Sequence, residues 1–183
     1  MEYKMTNTPI IYGVFCGLAL IILSLLLYLG GLSWYMSPAT FLNYIIPIVV
    51  AVLCGLRERK LQGGHMSFAH ALKVTFLFFV IGSIIFTLFT FLLLNIIDVP
   101  FREALSQEAA VATEKMLEKF GAPQETIDKT VSEILSGKSY TFGKTLLSYA
   151  FGLIFWFIVA LIISAIIKKS RPPFDNFANQ PNQ

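Results

Sequence analysis

Charge is what this sequence has least of. Only 14% of its 183 residues are Asp, Glu, Lys or Arg, while 56% are hydrophobic and the mean hydropathy is +0.70. A soluble domain carries about a quarter charged residues, so an ordinary water-soluble fold is excluded. Cysteine is nearly absent as well. Cys16 and Cys54 both fall within apolar runs, so neither reads as part of a disulfide framework or a zinc site, and both read as small packing residues. His65 and His70 are five residues apart, off the i, i+4 face of one helix, with no nearby cysteine and only Glu58 as a carboxylate. They are not read as a metal site, and no cofactor is expected. No nucleotide-binding motif and no internal repeat occurs, and no nucleic-acid partner is expected.

What is present is a set of four long apolar runs. Ile10 to Leu32 holds no charge and reaches about 34 Å at about 1.5 Å per residue, enough for a hydrocarbon core of about 30 Å. It is too long for the apolar region of a cleaved signal peptide, and no Ala-x-Ala site follows it. The further runs are Ala39–Leu56, the shortest and with Pro47 near its middle, Ala71–Ile97, and Thr145–Ile167. The expected fold is all-α: a polytopic membrane protein with spans at 10–32, 39–56, 71–97 and 145–167.

The basic residues orient these spans. Arg57, Arg59, Lys60 and Lys73 flank the stretch 57–70, and Lys168, Lys169 and Arg171 follow the last run, so both groups mark the cytoplasmic side. Residues 1–9, the basic loop 57–70 and a Pro-, Asn- and Gln-rich tail, 168–183, are then cytoplasmic, the tail reading as disordered. Arg57, Arg59, Lys60 and Lys73 are candidates for contact with anionic lipid heads. Aromatic residues Tyr28, Trp34, Tyr35 and Tyr44 suit the opposite interface.

Residues 98–144 break the pattern, with eight carboxylates and six basic residues. Asp98-Val-Pro100 offers a cap and an early proline, and Phe101, Leu105, Ala109, Ala112, Met116 and Phe120 follow at steps of three or four. Gly121 stops that helix and Pro123 starts another, with Ile127, Val131, Ile134 and Leu135 on one face until Gly137. An extracytoplasmic amphipathic helical hairpin between the third and fourth spans is expected. Its stripes are to be covered by each other, by the membrane interface or by a protein partner.

Small and polar residues within the spans supply the remaining candidates. Gly13 with Gly17, and Gly152 and Ser164 in the last span, read as close helix-packing positions, within one chain or at a self-association seam. Ser83, Thr87 and Thr90 recur on one helix face, and Asn43 and Asn95 are the amides. No Asp, Glu, Arg or His lies in the middle of any run, and Lys73 sits where it can snorkel to the interface. Proton- or ion-coupled transport normally needs such buried charge, and an intramembrane enzyme needs a nucleophile with its base or paired carboxylates. An enzyme is therefore not expected. The expected role is that of a structural or accessory subunit in the lipid bilayer, binding a protein partner or itself. The alternative is a small-solute transporter or channel lined by the Ser83, Thr87, Thr90 face.

A family resemblance rests on short motifs: Gly63, Gly64, Ser67, Phe68, Ala71 and Lys73 in the basic stretch, Glu114-Lys115-Met116, and a last span ending in Lys-Lys. With this order of elements, Asn7 to Lys169 resembles the bacterial membrane family called domain of unknown function 4199. The resemblance implies a bacterial inner-membrane protein with a periplasmic hairpin, and it transfers no functional residues. The orientation has a direct test. In a background lacking Cys16 and Cys54, a cysteine at Gln124 should react with an impermeant reagent on intact spheroplasts, and one at Gly64 should not. Labelling of both from outside would reverse the topology.

Overall fold

Proline at the start, glycine at the end and no charge between them make one uninterrupted helix of Thr8–Leu29 (α1). Gly31 turns the chain with φ of 84°. A short helix, Leu32–Tyr35 (α2), and a 3₁₀ turn, Pro38–Phe41, then lead into Leu42–Leu61 (α3), which carries Pro47 inside it. Ser67 accepts the His70 N–H at 3.3 Å and caps Phe68–Leu92 (α4), which continues as a π turn over Leu93–Ile97. Asp98 accepts the Phe101 N–H at 2.9 Å and starts Val99–Lys119 (α5). Gln124–Leu135 (α6) and Phe142–Ile167 (α7) complete the chain. This computed structural model describes residues 6–137 and 140–169. The tail from Arg171 onward lies outside the described residues.

Four helices are long and apolar enough to cross a membrane: Thr8–Leu29, Pro38–Leu61, Phe68–Ile97 and Phe142–Ile167. The second is longer than its sequence suggested. Arg57, Glu58, Arg59, Lys60 and Leu61 extend α3 rather than forming a loop, because each is a good helix former and the first positive-φ residue is Gly63. Only residues 62–67 remain as the turn into α4.

α4 is the central element. It packs along α1, α7 and α3, and α3 also touches α1 and α7, whereas α1 and α7 share no comparable contact among the described residues. The α1 seam is closest because it is built on glycine. An added Cβ at Gly13 would lie 3.0 Å from the Phe78 carbonyl oxygen, and one at Gly17 would lie 3.1 Å from that of Gly82. No side chain fits there without moving backbone.

The end of the bundle holding Thr6 and Lys169, here the basal end, is tied by backbone. Met66 and Lys169 exchange N–H···O bonds of 2.9 Å in both directions, joining the end of α7 to the turn before α4. Above this bridge Ala51, Cys54, Val74, Phe78, Ile163 and Ile167 are all 3% exposed or less and close the core.

At the opposite, apical end, α5 and α6 lie against each other across Gly121. The buried positions of α5 are Ser106 and Ala110, while Met116 and Phe120 of the expected stripe are exposed. Helical geometry locates the difference: at about 100° per residue the expected stripe covers about 100° of the surface from Phe101, and Ser106 and Ala110 lie just beyond it, so α5 turns the neighbouring face inward. In α6, Ile127 is the buried anchor.

The seam makes a stability prediction. Gly17→Ala should destabilise the protein in detergent by about 1–3 kcal/mol through overpacking. Gly143→Ala, where nothing lies within 4 Å, should not. Equal thermal midpoints for the two variants would mean that α1 and α4 do not touch as described.

Candidate functional site

On the α7 side of α4 the helices do not close. A cavity of about 530 Å³ lies between the first half of α3, the second half of α4 and the first half of α7, with Cys16, Leu20 and Leu27 of α1 and Tyr35 of α2 also lining it. Its wall is partly aromatic: Trp156 stacks on Phe79, 4.5 Å away at 19°, and lies 6.3 Å from Tyr44 at 24°. Cys16, Phe78 and Phe79 line the cavity and also belong to the closed core, so the cavity ends against that core on the basal side.

The polar face of α4 reaches this wall. Ser83, Thr87 and Thr90 all line the cavity, together with Asn43 of α3 and Thr145, Ser148 and Tyr149 of α7. Some of these groups are already paired. Ser83 donates to the Phe79 carbonyl at 2.6 Å, and Tyr149 donates to the Val80 carbonyl at 3.2 Å, tying α7 to α4. Two are not: Asn43 Oδ1 and Thr90 Oγ1 are buried without a hydrogen-bond partner. A buried polar atom left unmatched costs about 1–3 kcal/mol, and Ser164 Oγ, in the packed part of the bundle, is a third such atom among the described residues. Asn95, the other candidate amide, does not face Asn43 across this space. It donates to the Phe91 carbonyl at 3.0 Å and accepts from Arg102 at 3.1 Å.

The small residues of α7 divide between two settings. Ser164 is fully buried in the packed part of the bundle. Gly152, expected as a packing position, has nothing within 4 Å of where a Cβ would stand and borders the cavity instead. Cys16 also lines the cavity as a buried free thiol.

The basic residues take separate roles. Arg57, Lys60 and Lys73 are exposed at the basal end, whereas Arg59 donates to the Ile167 carbonyl at 3.1 Å and ties down the last turn of α7. Among them sits a group that the sequence reading weighed only as a metal ligand. Glu58 is fully buried, its carboxylate accepting from the Thr6 hydroxyl and from Gln62 Nε2 at 3.0 Å, with His70 Nε2 3.3 Å away. This one side chain joins the segment before α1 to α3 and α4. Its signal was present: Ala51, Cys54 and Glu58 follow at helical spacing, so the carboxylate continues a core face.

A second carboxylate anchors the apical helices. Asp98 accepts the Tyr28 hydroxyl at 2.7 Å as well as the Phe101 N–H, and these bonds hold its carboxyl below the ordinary range. The rings of Tyr28 and Tyr35 meet Phe101 edge-on at 4.9 and 5.3 Å. Arg102, besides its bond to Asn95, lies 6.0 Å from the centre of the Tyr140 ring.

Residues 11–169 match the family described as "Protein of unknown function (DUF4199)". The chain belongs to this family. The matched region takes in every helix from the first turn of α1 to the end of α7, and therefore the whole cavity. No curated protein matches the chain, and no solved structure does. The residues of this member must therefore carry the functional argument.

Removing the buried carboxylate checks its structural role. Glu58→Ala leaves the donors of Thr6 and Gln62 without their acceptor and should cost at least about 2 kcal/mol in thermal or denaturant unfolding. Arg57→Ala, one position away and exposed, should have no measurable effect. Equal stability of the two variants would mean that Glu58 is not enclosed.

Proposed function

We propose that this protein is a non-enzymatic membrane protein that holds a small uncharged molecule in the cavity between α3, α4 and α7. The observation that carries the reading is the composition of the wall: aromatic rings, aliphatic side chains, hydroxyls and one amide surround about 530 Å³, and none of the described lining residues is charged. Ligand sites are typically apolar cavities of about 300–1,000 Å³ with a few placed polar groups. An ion in this wall would have no counter-charge, and its desolvation would go uncompensated.

Binding is favoured over conduction because the space is blind. A channel needs a continuous polar path, whereas Val74, Phe78 and Ile163 fill the basal half of the bundle. The accessory role expected from the sequence takes a definite form here, with a bound molecule as what the subunit senses or hands on. The orientation belongs to the same proposal. Arg57, Lys60, Lys73 and Lys168 gather at the basal end, which supports placing it on the cytoplasmic face of a bacterial inner membrane, with the α5 and α6 hairpin outside.

The chain contains two tryptophans, and Trp156 lines the cavity while Trp34 is exposed. Trp34→Phe therefore makes Trp156 the sole indole reporter. In nanodiscs of that variant, bromoundecanol should quench Trp156 fluorescence saturably, because bromine quenches at contact range. Adding Gly152→Leu, which projects a side chain into the open space, should remove the saturable component with the thermal midpoint unchanged. Quenching that rises linearly and equally in both proteins would reflect partition into lipid alone and would refute the cavity as a binding site.

A further inference from the structure

Although α4 is packed by three helices, one strip of it stays open. From His70 to Thr90 the exposed side chains are Lys73, Ile84 and Leu88. At about 100° per residue these three fall within about 60° of one another, so they share one face. Contacts fix the flanks of that face. Ile81 lies about 80° to one side of Lys73, against Gly13 of α1, and Phe76 lies about 60° to the other, its ring edge-on to Phe157 of α7 at 5.3 Å. α1 and α7 share no comparable contact among the described residues, so the strip is the floor of a groove between them. None of its side chains lines the cavity.

Lys73 stands at the basal end of this groove, and its charge has no match on the protein. Outside residues 98–133, Glu58 is the only carboxylate among the described residues, and it is enclosed by Thr6, Gln62 and His70. The other basal cations point elsewhere. Arg57 and Lys60 are on α3, and Lys168 lies 5.9 Å from the centre of the Phe68 ring, which is about 140° around α4 from Lys73. Above Lys73 the floor is hydrocarbon: Leu77, Val80 and Ile84 lie within about 40° of its direction. From Lys73 to Ile84 is about 16 Å along the axis, close to one leaflet of a hydrocarbon core about 30 Å thick.

A lysine at the foot of an apolar face extends its ammonium to the level of the lipid phosphates. We propose that this strip binds a single glycerophospholipid, its phosphate at Lys73 and one acyl chain along Leu77, Val80 and Ile84 between α1 and α7. A protein helix laid in the same groove would cover the lysine with hydrocarbon and leave its charge unpaired. A lipid phosphate supplies the anion at that depth.

Native mass spectrometry of the full-length protein in detergent, titrated with dioleoyl phosphatidylglycerol, should show one lipid retained saturably per monomer. Dioleoylglycerol, which has the same chains and no phosphate, should bind at least about fivefold more weakly, and Lys73→Gln should weaken the phospholipid by about the same factor. Ile84→Trp, which crowds the floor away from the lysine, should weaken it as well. Arg57→Gln removes an equal charge from α3 and should leave the affinity unchanged. Each variant should keep the thermal midpoint of the lipid-free parent. Equal losses in Lys73→Gln and Arg57→Gln would mean diffuse attraction to a positive surface and would overturn the site. Equal affinity for the two lipids would overturn the role of the phosphate, and competition by glycerol 3-phosphate at the lipid's own concentration would make the ligand a soluble anion instead. A lipid-free dimer broken by Ile84→Trp would give the strip to a second copy of the chain. Retention of no lipid by the parent would overturn the proposal outright.

Discussion

Everything in this bundle depends on how differently the two flanks of α4 are built. On the α1 flank, Gly13, Gly17 and Gly82 bring backbone against backbone, with the Gly82 Cβ position 3.3 Å from the Gly13 carbonyl oxygen. In a bilayer the helices gain little from leaving lipid for one another, so dispersion at such short range is what holds them. The α7 flank has Phe79, Phe86 and Trp156 instead, and rings of that size keep the helix axes apart. Close packing at the basal end then leaves the apical half of that flank unfilled. The cavity is thus a consequence of residue volume along α4 rather than of any loop or lid.

Two polar tethers complete the arrangement, one at each end. At the base, Glu58 gathers Thr6, Gln62 and His70, and at the apex Asp98 holds Tyr28 and the first turn of α5. Each links segments far apart in sequence. Between them, Thr75, Ser83 and Asn95 bond to carbonyls of their own helix, Thr75 to Ala71 at 2.9 Å. Asn43 Oδ1, Thr90 Oγ1 and Ser164 Oγ are buried without a partner among the described residues.

Sequence periodicity was enough to find the four spans, since an uncharged run of twenty residues has few other uses. It also placed Ser83, Thr87 and Thr90 on one face, because their spacing of four and three closes two helical turns. It could not say that this face would meet open space. That depends on Ser148 and Gly152 standing opposite, on a helix more than fifty positions away in the chain. Glu58 was missed for a different reason: lying between Arg57 and Arg59, it reads as one more solvated charge, and a formal charge outweighed the helical spacing that joins it to Cys54. On α5 the larger apolar side chains marked one face, but the helix buries the small residues Ser106 and Ala110 on the face beside it and leaves Met116 and Phe120 exposed.

The ties at the foot of α7 have a mechanical meaning. Two backbone bonds between Met66 and Lys169, and the Arg59 guanidinium on the Ile167 carbonyl, clamp the last turn. Higher up, a tyrosine-to-carbonyl bond at Tyr149 and an edge-on ring contact between Phe91 and Phe142, 5.9 Å apart, hold the helix to α4. α7, 26 residues long, is therefore held by backbone at its foot and by side chains alone near its other end. Tilting such a rod by about 5° about its foot displaces the Phe142 end by about 3 Å, given a rise of about 1.5 Å per residue. Of the two ends of the cavity wall, the apical one is thus the softer, because only a hydroxyl bond and a ring contact resist its displacement.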